Sequence, residues 1–473
     1  MTEIWFDLLH MPTALSLAIG SLLALAVTIH VLLRKREVAA AAGWIGLVWY
    51  APVLGAVTYL LFGINRVRRR ARRLRPPDLA PAAGRPEPAA PPAGFVSLVQ
   101  GIDRITGRPL VAGNSVRSYR NGDEAYPAML DAIAGARRSI GLASYIFRDD
   151  AWGGRFITAL AEAKRRGVEV RVLIDGIGGG WLRSSAFRRL RRLGVPAARF
   201  LHSMQPWRMP FLNLRNHRKI LVIDGAVGFT GGMNIADENV MATRPAAPVR
   251  DVHFRLEGPV VGQLVAAFAE DWDFATDEYL LGPAWFPAIA APEGVPGRVI
   301  DSGPDEDLEK IEFAVQQAIA CARSRIVVMT PYFLPDDRLV TALALAAMRG
   351  VAVEVVLPER TDHRMVDWAA RANIGPLLDD GVRLWWSPRP FHHGKLMVVD
   401  DAWCLIGSCN WDVRSFRLNF ELCVELYSPE LASALVALVE TCRGCALRSE
   451  DLARRPLPVR LRDAGTRLLL PYL

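Results

Sequence analysis

The alternation of apolar and polar positions divides the chain into three regions. Ala14 to Leu33 runs for twenty residues without a charged side chain, with His30 as its one ionisable member. At ~1.5 Å per helical residue it covers about 30 Å, the thickness of a bilayer's hydrocarbon. Ala39 to Phe62 is a second uncharged run. It carries Trp44, Trp49, Tyr50 and Tyr59, ring types that favour the headgroup interface, and Pro52, which predicts a kink. Both runs are read as transmembrane helices. Glu3 and Asp7, with no basic residue, precede the first run, which argues against a cleaved signal peptide. Pro76 to Gly94 is rich in Pro and Ala and reads as an extended spacer. From Phe95 onward, helix-period stretches alternate with short apolar strands, the pattern of an α/β fold.

That third region repeats itself. Ala132–Arg137 leads into Ser139-Ile140-Gly141-Leu142 and then Tyr145-Ile146-Phe147. The same register returns in Ala318–Arg323, Arg325-Ile326-Val327-Val328 and Pro331-Tyr332-Phe333. Arg166-Gly167 followed by Val168–Leu173 matches Arg349-Gly350 followed by Val351–Val356, each a helix-ending glycine and then a strand. Two similar halves follow. The organisation expected is an anchor over residues 1–75, a linker over 76–94, and halves over 95–290 and 291–473.

Charge sharpens the picture. The whole chain carries a formal +8, but the first 75 residues hold ten basic and three acidic side chains, so the remainder is nearly neutral. A broadly basic nucleic-acid-binding body is excluded, and nucleic acid is not expected as a partner. Two crossings would place both chain ends on one side. The seven arginines of Arg66–Arg75 favour a cytoplasmic body at the plasma membrane, while Arg34-Lys35-Arg36 opposes that orientation. The arginine cluster also suits anionic lipid headgroups. All six cysteines lie in the C-terminal half, and the lone C-x-x-C of Cys442 and Cys445 lacks the four ligands of a zinc site.

The chemistry sits in a paired motif. Asn216-His217-Arg218-Lys219 runs to Asp224 and on through Gly231-Gly232 to Asn234; His392-His393-Gly394-Lys395 runs to Asp400 and on through Gly407-Ser408 to Asn410. Both fit H-x-K-x4-D-x6-G-[GS]-x-N. Period-two alternation puts His217 with Lys219, and His393 with Lys395, on one face of an extended segment. Asp224 and Asp400 are carried in the candidate catalytic set with their motifs, although strand parity turns them to the opposite face, where they would brace the strand end. Converging histidines, lysines and amides suit a phosphoryl group. The lysines, Asn234, Ser408 and Asn410 neutralise its oxygens, one histidine attacks phosphorus, and the other protonates the leaving oxygen. This set requires no metal and no cofactor.

These motifs resemble the phospholipase D superfamily, and with two N-terminal membrane segments the chain is similar to its bacterial cardiolipin synthases over essentially its full length. Ser144–Asp150, Arg250–Pro259, Thr330–Asp336 and Asn410–Asp412 through Asn419–Glu421 extend the resemblance. It implies two phospholipase D-like α/β halves related by a pseudo-twofold axis, with one active site between them. It implies His217 as nucleophile and His393 as general acid and then base. It also implies an orienting acid downstream of each motif: Asp251 for His217, Glu421 for His393. The implied reaction transfers a phosphatidyl group between two phosphatidylglycerol molecules and releases glycerol. The same residues would serve a membrane-bound phospholipase D or a transferase with another lipid, such as phosphatidylethanolamine. Many relatives have Ser where Gly394 stands, which suggests either a wider site or one changed phosphate hydrogen bond. Trp207, Met209, Phe211, Trp385, Trp386 and Phe391 precede the two motifs and suit either an acyl entrance or core packing.

Overall fold

The computed structural model describes residues 13–35, 38–63, 88–202, 214–289, 293–304 and 307–468. The chain forms two compact units, residues 1–70 and 71–473. All of the Arg66–Arg75 cluster and most of the Pro/Ala spacer, together with Trp207, Met209 and Phe211, lie outside the described residues.

In the N-terminal unit, Thr13–Arg34 is one helix, and its Leu15–Arg34 portion is long and apolar enough to cross a membrane. The second expected span is not one continuous helix. It runs as Val38–Tyr50, breaks at Ala51, resumes as Pro52–Thr58 and ends in a wide π turn over Tyr59–Gly63. Thirteen residues reach only about 20 Å. The break reverses the chain. A Cβ on Gly55 would fall 2.7 Å from the Val48 Cα. The Trp44 and Tyr59 rings are 5.2 Å apart, where a continuous helix would separate the two residues by about 22 Å. Proline explains the break: Pro52 has no N–H to donate and its ring excludes the preceding turn, so it starts a new helix instead of kinking the old one.

The larger unit is built on one fifteen-stranded sheet, with two small two-stranded sheets beside it. The first half supplies β1 (Val111–Arg120), β2 (Ser139–Ser144), β3 (Glu169–Asp175), β4 (Ala197–Phe200), β5 (Arg215–Asn216), β6 (Ile220–Ile223), β7 (Val227–Gly231), β8 (Val249–Arg250) and β9 (Val252–Glu257). The second supplies β10 (Val295–Ser302), β11 (Arg325–Met329), β12 (Phe333–Leu334), β13 (Ala352–Pro358), β14 (Arg383–Ser387), β15 (Phe391–His392), β16 (Leu396–Val399), β17 (Trp403–Gly407), β18 (Trp411–Asp412) and β19 (Asn419–Tyr427). The two small sheets pair β12 with β18 and β15 with β8, and the order across the large one is β14-β13-β11-β16-β17-β19-β10-β1-β9-β7-β6-β2-β3-β4. It reads the same from either end once the repeats are matched. β1 and β10 pair antiparallel at its centre, Val111 opposite Gly297. This is the expected pseudo-twofold.

Each half repeats the same local logic. Strand β2 is buried along its whole length, as a strand covered on both faces must be. It pairs parallel with β3 through the crossover helix Ala151–Arg165, as β11 does with β13 through Asp337–Met348. Asp150 and Asp336 cap those helices by accepting from the amides of Gly153 and Leu339. The expected end signals, Gly167 and Gly350, both take the left-handed conformation. The helix Val96–Thr106 departs from the expected partition. Leu98, Val99 and Ile102 pack into the second half's core with Val315 and Ile319. At the C-terminus, helix Leu457–Arg467 buries Asp463 and Thr466 and leaves Leu457 and Leu461 exposed.

The motif aspartates are structural, which removes Asp224 and Asp400 from the candidate catalytic set. Asp224 accepts from the amides of Arg137, Arg138 and Ser139, and Asp400 from those of Arg323, Ser324 and Arg325. Each therefore ties the far end of its motif strand (β6 or β16) to the start of β2 or β11. Burial works against the Asp400 charge, but those amides outweigh it and hold the carboxyl below its usual range. Its contribution is therefore complete above the ordinary carboxylate range and is lost as pH falls through the folded value. Asp400→Ala should lower stability by about 1–2 kcal/mol at neutral pH, since the site is part-exposed. The deficit should shrink below about pH 4. Urea unfolding of the full chain at pH 7 and pH 3.5 checks both.

Candidate active site

The residues before each motif histidine leave their own half. β5 pairs parallel with β19, Asn216 opposite Phe420, and the His217 amide donates to the Phe420 carbonyl at 2.9 Å. β15 pairs with β8 in the same way, His392 opposite Arg250, and the His393 amide donates to the Arg250 carbonyl at 2.6 Å. Each histidine is thereby set beside the residue that follows its backbone acceptor, Glu421 after Phe420 or Asp251 after Arg250. The His217 Nδ1 lies 2.9 and 3.0 Å from the two Glu421 oxygens, and the His393 Nδ1 lies 2.9 Å from Asp251 Oδ2. The expected pairing is thus exchanged: Glu421 orients His217, and Asp251 orients His393. Sequence order suggested each acid for the motif before it, whereas the twofold crosses the two segments over. With Nδ1–H donating to a carboxylate, Nε2 keeps its lone pair for chemistry.

Both lysines curl back on their own motif. Lys219 Nζ donates to the His217 carbonyl at 2.8 Å and sits 5.4 Å from the centre of the Tyr145 ring. Lys395 Nζ donates to the His393 carbonyl at 2.5 Å and lies 2.9 and 3.0 Å from the two ring nitrogens of His393. All four groups are buried, with His393 the most accessible at 8%.

Burial and crowding of like charge set the protonation states. His217 is held well below its ordinary value by burial, then by Lys219, Lys395 and His393. His393 is lowered by burial and Lys395, against the pull of Asp251. Burial also lowers both ammonium groups, Lys219 well below its usual range and Lys395 to about 8. The two acids diverge. Burial pushes Glu421 up to about 7 despite Lys219, Ser408 and Asn419. Burial works against Asp251 as well, but the hydrogen bond from His393 and the charge of Lys395 hold it at about 2.

Other expected ligands have different duties. Ser408 is not free for a phosphate: its hydroxyl donates to Glu421 Oε2 at 2.5 Å and accepts from the Leu422 amide at 3.0 Å. Its counterpart Gly232 has no room for a side chain, since a Cβ would lie 2.6 Å from the Asp251 carboxylate. Asn234 uses its Oδ1 to accept from the Ile146 amide at 3.2 Å, which fixes the loop after β2. Asn410 is buried, and its Oδ1 has no hydrogen-bond partner among the described residues. Gly394 does not widen the site, because Met329 and the His392 ring fill the place of its side chain. Phe391 borders the site, 5.8 Å ring to ring from His393, whereas Trp385 and Trp386 lie on the edge strand β14.

The sequence reading missed two aromatic walls. Tyr145 meets His217 edge-to-face at 5.1 Å, and Tyr332 meets His393 edge-to-face at 6.3 Å. Tyr332 donates its hydroxyl to Asp362 at 2.5 Å. The available signal was position: each tyrosine closely follows one of the matched strands β2 and β11.

The model of the family "Cardiolipin synthase, PLD-like domain" matches residues 129–272 and 315–442. The chain belongs to this family. The "Cardiolipin synthase" of Geobacillus kaustophilus is 34% identical over 459 residues, covering 93% of this chain and 90% of that protein. "Cardiolipin synthase A" of Pseudomonas aeruginosa is 36% identical over 450 residues, covering 93% and 91%. A solved structure titled phosphatidylserine synthase, from Haemophilus influenzae, superposes with a TM-score of 0.62 at 15% identity, covering 80% of this chain and all of that one, and shares the fold. Membership in the cardiolipin synthase family makes this chain a phospholipid-modifying enzyme of the phospholipase D type.

Two titrations bound the working range of this site. On the reading that an ionised Glu421 accepts the His217 Nδ1 proton and a protonated Lys395 holds a phosphate oxygen, both groups titrate within the working range. kcat/KM should rise as pH climbs through about 7 and fall as it passes about 8. Lys395→Arg should flatten the alkaline limb while lowering the maximum. A pH–rate profile of both proteins checks this.

Proposed function

We propose that this enzyme transfers a phosphatidyl group from one phosphatidylglycerol to another through a phosphatidyl-histidine intermediate, releasing glycerol and forming cardiolipin. The observation that carries the reading is the pair of crossed histidine–carboxylate hydrogen bonds, each with a lysine on the same backbone turn. The substrate class comes from the family.

His217 is assigned as nucleophile because it is held neutral most strongly, which leaves the Nε2 lone pair available. Its attack forms an N–P bond. The P–O bond to the glycerol headgroup breaks, and His393 gives that oxygen a proton. His393 is assigned this role because Asp251 stays ionised beside it and supports the imidazolium, against the burial and the Lys395 charge that lower it. Lys219 and Lys395 hold the non-bridging oxygens. In the second half-reaction His393 takes the proton from a hydroxyl of the second phosphatidylglycerol. That oxygen attacks phosphorus, the N–P bond breaks, and His217 is restored. One phosphodiester replaces another, so the step is close to balanced and depends on acceptor supply. A buried site on a membrane-anchored chain favours a lipid alcohol over water. The enzyme acts at the plasma membrane on anionic lipid.

The test is lipid mass spectrometry of the purified full chain in phosphatidylglycerol vesicles. Cardiolipin and glycerol should appear in equal amounts with wild type and with neither His217→Ala nor His393→Ala. Phosphatidic acid as the main product would make the enzyme a hydrolase, and product only after phosphatidylethanolamine is added would change the substrate pair. The order of the histidines has its own test. With phosphatidyl-p-nitrophenol, whose leaving group needs no proton, the first-turnover burst of His393→Ala should recover most of the ~10²–10⁴-fold loss that removing a general acid causes. His217→Ala should recover none. The reverse outcome exchanges the two roles.

A further inference from the structure

The N-terminal unit carries an inference independent of the chemistry. Its second apolar segment enters the depth of the membrane helix and turns back. The turn lies against Gly20, where an added Cβ would be 3.4 Å from the Pro52 ring. Gly20 is fourteen residues from Arg34, or about 21 Å along the helix, which matches the reach of the thirteen-residue arm Val38–Tyr50. The returning arm then comes back beside the residues it passed, with the Tyr59 hydroxyl 2.7 Å from the His30 Nδ1 and its ring against Trp44. On the ingoing arm, the Trp49 Nε1 donates to the Thr28 hydroxyl at 3.1 Å, and Thr28 donates in turn to the Ala24 carbonyl at 2.7 Å. Broken helix is tolerated at this depth where its polar groups find partners, and here the Thr28 hydroxyl, the Trp49 indole, the His30 ring and the Tyr59 hydroxyl are all paired.

A second observation comes from the charges. Arg34, Lys35 and Arg36 stand before this segment, and the seven arginines of Arg66–Arg75 stand after it. Two full crossings would put these groups on opposite faces, leaving the positive-inside rule in conflict with itself. A segment that enters and leaves by the same face puts all ten basic residues on one side. Glu3 and Asp7, with no base among them, fall on the other.

We propose that the chain crosses the bilayer once, at Leu15–Arg34, and that Val38–Gly63 is a re-entrant hairpin from the cytoplasmic face. The N-terminus is then outside, and everything after Gly63, including both histidine motifs, is inside. The experiment uses single cysteines in the full-length chain with the two more accessible native thiols replaced (Cys321→Ser and Cys445→Ser). Thr2→Cys, Glu37→Cys and Ala71→Cys are each probed with a membrane-impermeant maleimide, in right-side-out and in inverted vesicles. Labelling in detergent gives the total for each position. The expected result is at least tenfold preference of Thr2→Cys for right-side-out vesicles, and the same preference of both Glu37→Cys and Ala71→Cys for inverted ones. Glu37→Cys and Ala71→Cys on opposite sides would overturn the hairpin. Both labelled from outside would overturn the orientation. Thr2→Cys and Ala71→Cys on one side would overturn the single crossing.

Discussion

The site depends on hydrogen bonds that neither half can make alone. Each histidine takes its orientation from a carboxylate on the other half, and each arrives there on a short strand that pairs with the other half's backbone. A lone half would leave its histidine without the acceptor on Nδ1, and its carboxylate buried without the histidine. Burying an unpaired carboxylate is costly. The chemistry and the joining of the halves therefore rest on the same contacts.

The interface holds further buried charge, and each ion is matched. Arg298 is fully buried and bonds Glu425 at 2.5 Å and Asp103. Arg108 bonds Asp301 at 2.8 Å. These pairs bind the helix Val96–Thr106 and the chain after it to β10 and β19, which explains why that helix packs in the second core despite its place in the sequence. Arg218, between His217 and Lys219, turns away from them and donates to Asp271 at 3.0 Å and to the Glu421 carbonyl at 3.2 Å. Asn216 donates to the other Asp271 oxygen at 2.8 Å. The motif is thus clamped on the face its histidine and lysine do not use. Such pairs gain little net stability but are expensive to break, so they act as registration pins.

Much of this was readable in the residues because it is local. The helix-ending glycines at 167 and 350, the strands that follow them, and the shared face of His217 with Lys219 all follow from short-range periodicity. Parity also turned Asp224 and Asp400 away from the histidines, where they proved to brace the strands. What could not be read was long-range. Nothing near Asp251 reveals that it faces a histidine 142 residues later, because the crossing over is a property of the twofold and not of any segment. Ser408 and Asn234 looked like phosphate ligands by type, yet a carboxylate and a backbone amide claim them. The second apolar run is harder to read for a different reason: composition measures hydrophobic length, and a reversal at one proline leaves that length unchanged.

The two halves resemble each other closely enough that their differences at the site are informative. One crossed pair sets His217 of the first half against Glu421 of the second, supported by the hydroxyl of Ser408 and the side-chain amide of Asn419. The other sets His393 of the second half against Asp251 of the first, supported by the Val252 amide at 2.7 Å and crowded by Gly232, where no side chain fits. Glu421 is one methylene longer, and the serine fills the space that Gly232 leaves to Asp251. The longer acid sits where burial wins and is held near neutrality. The shorter sits where its histidine and Lys395 win, and it stays charged. Symmetric reaction steps need asymmetric proton states, because an attacking imidazole must begin neutral while a donating one must carry its proton. A duplicated motif supplies two equal histidines. The unequal carboxylates opposite them, together with the serine–glycine difference beside those carboxylates, are what separate the two proposed roles.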